Sequence, residues 1–432
     1  MFELAIIGGG PAGYSAAFEA TRYGMSVVLF EYDNVGGTCL NRGCVPTKYL
    51  LHVARKYQDA QKSDDGIFFQ SFGIEYGKTK SKMDSVVASL RTGLYENLKK
   101  SGIEMVTGNA AIKGSGAIEC NGKIYNAKNI LIATGSVTKP PLVTGALTSD
   151  EALNLDYIPE KIHIIGGGTT AVEFAEIFSM LGSNVKISIR GDRILRNWDK
   201  EISVGLSQSM KKKGVIINKG CDIPSMSFSD DEIVISATGR AANIPLVEVD
   251  LFDIGSNGGI VVDKNFETKT KGVFAAGDVI DGSVKLAHTA MNQGRQIVKY
   301  IAKGIAPKES CVIKCIYPDQ EIASVGLTEA EAKANRMDCA VAKQTMYTNA
   351  RTIISTEERG FMKAVASKTD GKLLGAQLMC ENAGEIVADF AMALDHGMTA
   401  SEMLRTVRPH PSYCESIQDV LRTLEDKIDV EV

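Results

Sequence analysis

The chain has 432 residues, enough for roughly two to four domains and a large core. Hydrophobic residues make up 44% and charged residues 23%, as in an ordinary globular protein and unlike a disordered or fibrous one. The net charge of −4 gives no reason to expect nucleic acid or an anionic membrane as a partner, and no apolar run approaches the roughly 20 residues needed to cross a bilayer. Nine widely scattered cysteines fit a reducing compartment with mostly buried free thiols. The first residues enter a strand without a basic leader, so the expected location is the cytoplasm. No metal site is expected.

Taken in order, Leu4–Ile7 is a short apolar run ending in Gly8-Gly9-Gly10-Pro11-Ala12-Gly13. A helical pattern from Tyr14 to Tyr23 follows, then Gly24 and the strand Ser26–Phe30 closing on Glu31. Glycines at this spacing, between a strand and a helix N-terminus, let a pyrophosphate approach the backbone. An acid about twenty residues on can accept from a ribose hydroxyl.

Next comes Gly36-Gly37-Thr38-Cys39-Leu40-Asn41-Arg42-Gly43-Cys44-Val45-Pro46-Thr47-Lys48. Thr47–His52 reads as a helix with Pro46 near its first turn, so Cys44 stands close to a helix N-terminus, where the peptide dipoles favour a thiolate. A short structural disulfide or two unrelated core thiols are the plainer alternatives. Closing so small a ring would contribute only about 2 kcal/mol, and a chain this long does not depend on it.

The stretch from His52 to Ser101 is polar and helical in pattern, with a loop expected around Asp64 to Lys82. Ile130–Ala133 is a buried strand that closes on Thr134-Gly135, and Pro140-Pro141 marks a domain crossing. A second strand–glycine–helix unit follows: Ile162–Ile165, then Gly166-Gly167-Gly168-Thr169-Thr170-Ala171, a helix to about Leu181, and the strand Asn184–Ile189. Two such units imply two nucleotides; a duplicated domain with one inactive site is the plainer alternative. The second unit ends in Arg190, with Arg193 and Arg196 behind it, instead of an acid. Arginines there match a ribose 2′-phosphate, or form a solvated basic loop.

Further along stand Gly239-Arg240, Gly272–Val279 with Gly277-Asp278, and Leu286-Ala287-His288. From about Cys311 a third composition begins. It contains Tyr317–Glu321, a hairpin from Gly360 to Leu378, a helix opened at Asn382–Glu385, and Arg408-Pro409-His410-Pro411-Ser412-Tyr413-Cys414-Glu415.

The pattern Gly-Gly-Thr-Cys-x4-Cys-Val-Pro-x-Lys closely resembles the active disulfide of the flavin-dependent disulfide reductases, and the other motifs extend the resemblance to about Asp419. It is nearest to dihydrolipoyl dehydrogenase. The resemblance implies an α/β fold: two Rossmann-like nucleotide-binding domains, for FAD and NAD(P), plus an α+β C-terminal dimerisation domain. The expected divisions are 1–145 with 236–308 for FAD, 146–235 for NAD(P) and 309–432 for dimerisation.

It also implies roles. Cys44 is the thiolate facing the flavin and Cys39 the thiol that exchanges with substrate. His410, oriented by Glu415, is the acid–base for exchange, though a histidine between prolines is otherwise a turn residue. Lys48 and Glu173 pair beside the reactive flavin edge. FAD is expected on Gly8, Gly10, Pro11, Ala12, Gly13, Glu31, Gly37, Thr38, Lys48, Thr134, Gly135, Gly239, Gly277, Asp278, Leu286 and Ala287. The dinucleotide is expected on Gly166, Gly168, Thr170, Ala171, Arg190 and Arg196.

Arg190, Arg196 and Ala171 match the NADPH-using glutathione reductases, so NADP is the expected coenzyme, with NAD possible. Several features depart from the family pattern: Ala241-Ala242-Asn243 replaces Pro-Asn after Gly-Arg, Gln320 replaces a proline, and Phe18 and Glu19 stand where glutathione reductases carry an arginine. The expected partners are a second copy of the chain and a small dithiol or disulfide, or the lipoyl domain of a multienzyme complex. Another small-disulfide reductase, or a redox sensor or electron-transfer flavoprotein without turnover, are the competing readings.

Overall fold

In a computed structural model, residues 1–62, 66–67, 69–356 and 360–429 are described. Three main sheets organise them. In the first, Phe2–Ile7 lies between Val27–Glu31 and Lys123–Ile132, both parallel to it, with Glu104–Thr107 and Val273–Ala275 completing the parallel part. Leu4, Ala5 and Ile6 have no exposed surface, which explains the unbroken apolar run: a parallel strand covered on both faces needs no polar alternation. Ala110–Gly114, Ala117–Cys120 and the start of Lys123–Ile132 form an antiparallel extension.

The second sheet is parallel throughout, in the order Ile216–Asn218, Asn184–Ser188, Lys161–Ile165, Glu232–Ser236, Leu147–Thr148. Between the two sheets the chain crosses outward through Ser136–Thr138 and back through Arg240–Ala242. These pair as an antiparallel ribbon with Ala242 opposite Ser136. Asn243 stitches the crossing: its N–H donates to the Gly135 carbonyl at 2.9 Å and its side chain to the Thr134 carbonyl at 3.2 Å.

The third sheet is antiparallel, in the order Lys314–Ile316, Ile322–Gly326, Leu373–Met379, Phe361–Ser367, Cys339–Thr345. It includes the expected hairpin, with a register shift at Val365/Ala366. Helices Ala383–Asp395 and Ser416–Asp429 cover it. The apolar residues Ile386 to Leu394 and Ile417 to Leu424 give each helix a face to bury. Val387, Phe390, Ile417, Val420, Leu421 and Leu424 are fully buried, and the protomer's own sheet covers them. Met392 and Val407 are left as large exposed apolar side chains in this region.

Boundaries moved in two other places. The helix after the second cysteine begins at Cys44 and runs to Gln61, and Cys39 lies in its own short helix, Gly37–Arg42. The loop expected as far as Lys82 ends by Tyr76, where helix Tyr76–Lys100 starts; Asp64 lies outside the described residues. That helix has a polar sequence but buries Tyr76, Met83, Val87 and Leu98, so a sparse apolar stripe suffices once a neighbour covers it. One apolar core joins Leu50, Leu51 and Ala54 of the cysteine helix to the second sheet's helix Thr169–Met180 and to Ile316, Ile322 and Phe361 of the third sheet. The dithiol helix is therefore the wedge on which all three units meet.

Candidate active site

A cavity of about 760 Å³ opens where the units meet. The first glycine turn forms one wall. Gly8 has φ +106°, and a Cβ there would fall 2.3 Å from the Ala133 carbonyl oxygen. A Cβ on Gly13 would fall 1.9 Å from the Gly8 oxygen, so helix Pro11–Arg22 can only close on this turn without a side chain. The second turn repeats the device with one relaxation. Gly166 has φ +127° and would clash with the Ala237 oxygen at 2.3 Å, but the position matching Gly13 holds Ala171, fully buried. A Cβ on Gly168 would meet nothing within 4 Å, the open approach that a phosphate at a helix N-terminus needs.

Of the expected site residues, Gly8, Gly10, Pro11, Ala12, Glu31, Gly37, Thr38, Cys39, Cys44, Lys48, Thr134 and Gly135 line this cavity. So do Thr170, Glu173, Gly239, Gly277, Asp278, Leu286 and Ala287. Glu31 ends its strand with one carboxylate oxygen accepting from the Gly9 N–H at 2.8 Å and the other from the Asp33 N–H at 2.9 Å. Burial raises its pKa, and those N–H bonds oppose the rise. Asp278, on the turn Gly277–Val279, accepts from the Ser136 hydroxyl at 2.7 Å.

Cys39 and Cys44 are free thiols hydrogen-bonded to one another. Cys44 opens its helix, with Gly43 as the cap. The thiol hydrogen bond from Cys39, then the charge of Lys48 one turn along, lower the pKa of Cys44, an exposed residue, to about 7. The same hydrogen bond, with burial, pushes Cys39 upward. The pair is thus polarised: one thiolate, one thiol. Lys48 Nζ donates to both Glu173 oxygens, at 2.7 and 2.9 Å. Glu173 also accepts from the Tyr317 N–H at 3.2 Å, and the Lys48 ammonium lies 4.9 Å from the Tyr317 ring centroid. A residue from each unit therefore meets at one cation.

The arginines of the second unit sit on an outer loop. Arg190 and Arg196 are exposed and make no ion pair among the described residues. The Leu195 N–H docks the loop onto the second glycine turn, donating to the Gly167 carbonyl at 2.7 Å. Leu195 itself has φ +49°, a left-handed conformation that a non-glycine residue holds only when its surroundings enforce it.

His410 and Glu415 are brought together but not to the thiols. His410 Nδ1 lies 2.6 Å from Glu415 Oε2, and the imidazole is 73% exposed and outside the cavity lining. Cys414 lies 3.1 Å from the Ser412 hydroxyl beside this pair.

Two contributors were not singled out from the sequence. Tyr317 supplies its N–H and ring, a role no local motif announces. Arg240 was read only as part of a returning motif. Its guanidinium donates to the Ser136 hydroxyl and carbonyl at 3.0 and 2.9 Å and to the Thr38 hydroxyl at 3.2 Å. A cation following a glycine at a strand end was the available signal.

Comparison with known families decides the affiliation. Residues 2–294 match the pyridine nucleotide-disulphide oxidoreductase family, and residues 312–421 match its dimerisation domain. The chain belongs to the pyridine nucleotide-disulphide oxidoreductases. Among the family's curated members, a dihydrolipoyl dehydrogenase of Bacillus subtilis (strain 168) is 32% identical, covering 99% of this chain and 98% of its own length. A dihydrolipoyl dehydrogenase of Geobacillus stearothermophilus is also 32% identical, over 96% and 94%. Among solved structures, the HOCl-induced flavoprotein disulfide reductase RclA of Escherichia coli superposes with a TM-score of 0.86 at 26% identity, covering 97% of this chain and 99% of that one.

Membership of this family implies FAD and a pyridine nucleotide, and the two glycine turns, the strand-end acid Glu31 and the open cavity fit two nucleotides. Among the described residues no helix is long and apolar enough to cross a membrane.

Proposed function

We propose that this oxidoreductase is of the dihydrolipoyl dehydrogenase type. It would move two electrons between NADP(H), FAD, the Cys39–Cys44 pair and a dithiol or disulfide such as dihydrolipoamide, as a homodimer. The observation that carries this reading is the polarised thiol pair: Cys44 lowered to about 7 under Lys48, and Cys39 held as the neutral partner. The full-length similarity to dihydrolipoyl dehydrogenases supports the substrate class, and the exposed Arg190 and Arg196 support a 2′-phosphate on the coenzyme. The division into FAD (1–145 and 236–308), NADP (146–235) and dimerisation (309–432) units is part of the proposal.

A flavin, when bound, supplies the two-electron relay between the nicotinamide and the dithiol. The chain's own residues do the rest. Gly8, Gly10 and the start of helix Pro11–Arg22 would receive the FAD pyrophosphate, Glu31 a ribose, and Asp278 the ribityl chain. Lys48, fixed by Glu173, keeps positive charge beside the site and stabilises the Cys44 thiolate. Cys39 exchanges with the substrate sulfur. His410, held at one nitrogen by Glu415, moves the proton between Cys39 and the substrate thiol. Since His410 lies outside its own chain's cavity, the reading has a second copy supplying it.

A second reading, reduction of another small disulfide, is favoured by the similarity to the disulfide reductase from Escherichia coli. Steady-state oxidation of NADPH and NADH against lipoamide, glutathione disulfide and no acceptor separates these readings. Lipoamide-dependent turnover, reversible with dihydrolipoamide and NADP, is expected. Turnover with glutathione disulfide alone overturns the substrate assignment, and none with any disulfide points to a sensor or electron-transfer role.

A further inference from the structure

The second nucleotide unit touches the dithiol region at two separate acids. One is Glu173, on Lys48. The other is Asp150, on the short helix Ser149–Ala152 that follows the second sheet's edge strand Leu147–Thr148. Asp150 Oδ1 lies 3.2 Å from Arg240 Nη1 and Oδ2 lies 3.7 Å from Arg42 Nε. The two arginines come from different places. Arg42 closes helix Gly37–Arg42, three residues after Cys39, and is braced by Asp33 at 3.0 Å and the Tyr32 hydroxyl at 3.1 Å. Arg240 starts the returning strand of the ribbon and also holds Thr38 and Ser136. Ser136 in turn holds Asp278. A single carboxylate therefore joins the second nucleotide unit, the thiol helix and the only ribbon among the described residues through which the chain passes between the first two sheets. A capping box of Thr148 and Glu151 fixes the helix that carries it.

We propose that Asp150 is a positioning residue: drawing Arg42 and Arg240 onto one carboxylate, it sets how the second nucleotide unit presents its dinucleotide to the cavity. It touches no reacting atom. The inference rests on the reading that the second glycine turn holds a nicotinamide dinucleotide. The step it governs is the first half of a balanced exchange, in which the dihydronicotinamide gives up a hydride and becomes oxidised, and the hydride's electron pair and proton, together with one solvent proton, break the disulfide bond and leave a dithiol. Hydride transfer depends steeply on approach geometry, and a displacement of about 1 Å can cost a hundredfold. Thiol exchange at Cys39 requires no approach by the dinucleotide. The two halves of turnover should therefore separate on losing the carboxylate.

The test uses the purified flavin-containing enzyme and its Asp150→Asn and Asp150→Glu variants. In rapid mixing, Asp150→Asn should slow reduction by saturating dinucleotide about tenfold or more, with dinucleotide affinity little changed. Re-oxidation of the pre-reduced variant by disulfide should keep the parent rate, and Asp150→Glu should recover most of the loss. Independently of turnover, amide hydrogen exchange in Asp150→Asn should rise at Ser136–Thr138 and Arg240–Ala242 and stay at the parent level in Glu232–Ser236. Equal slowing of both halves, an unchanged reductive half, or an unchanged ribbon overturns the proposal. If Asp150→Asn loses its flavin, Arg42→Gln removes one arm and must show the same asymmetry. Failure of the unmodified enzyme to be reduced by either NADPH or NADH would instead sink the underlying reading of the second site.

Discussion

At the scale of single residues, chemistry here is set by which charge faces which thiol. Cys44 starts from an ordinary value of 9.0 and is lowered to about 7 by the Cys39 hydrogen bond and the Lys48 charge. A thiol whose pKa is lowered is ionised above the lowered value and protonated below it. In the reduced enzyme, the long-wavelength absorption expected of a thiolate beside oxidised flavin should therefore be present above about pH 7 and fade as pH falls through it. Cys44→Ser should abolish that band with FAD still bound. Lys48→Met should move its midpoint upward, because the largest lowering charge is gone. A band that persists in Cys44→Ser, read by absorbance after reduction, assigns the thiolate elsewhere.

At the scale of elements, two predictions concern the second nucleotide unit. Its loop carries Arg190 and Arg196 free for a ligand. Each charge-assisted bond is worth roughly 1.5–3 kcal/mol, and about 1.4 kcal/mol is a factor of ten. NADPH should exceed NADH by at least about tenfold in kcat/KM, and replacing both arginines should narrow the gap by weakening NADPH. Equal efficiencies in the unmodified enzyme would contradict this.

The other prediction lies where helix Lys200–Lys212 meets the third sheet. Asp199 caps that helix, donating nothing and accepting from the Glu201 N–H at 2.8 Å. Its other oxygen receives Lys363 at 2.7 Å, and Glu201 receives Lys363 at 3.0 Å. Lys363 and Asp199 are 3% and 6% exposed. Removing one partner strands the other in the interior, at a cost of about 3–5 kcal/mol. Lys363→Met should lower stability by about that amount in chemical denaturation, while Lys343→Met, on the exposed side of the same cluster, should cost about 1 kcal/mol or less.

At the scale of the molecule, the proposed function requires an active site shared between two copies. His410 is 73% exposed, paired with Glu415 and absent from the cavity that holds Cys39, while the chain carries the family's dimerisation domain. A two-fold dimer would give two identical composite sites. Cys44→Ser and His410→Ala should each be nearly inactive in disulfide reduction. Doubly tagged mixed dimers of the two should regain activity, because one of their sites combines intact cysteines with an intact histidine. Verified mixed dimers as inactive as both parents would rule out sharing.

Both glycine turns, the dithiol run and the family itself were readable along the chain, because each is a local device. A left-handed glycine, a helix N-terminus and two cysteines five positions apart keep their chemical meaning wherever they are carried. The departure at Ala241-Ala242 was also readable, but the contacts of the residue that follows it were not. Asn243 makes the stitch to Thr134 and Gly135. The helices at Ile386 and Ile417 show the opposite limit: an apolar stripe says that a face is buried, not against what, and here the protomer's own sheet covers it. Tertiary structure alone decided that Tyr317 joins the Lys48–Glu173 pair, that His410 stands outside its own chain's cavity, and that Asp150 receives two arginines. Those contacts join residues far apart along the chain, Lys48 with Tyr317 the furthest of them. The physical reason is that charge and hydrogen bonding act over a few ångströms of space, and only the packed fold determines which distant residues share them.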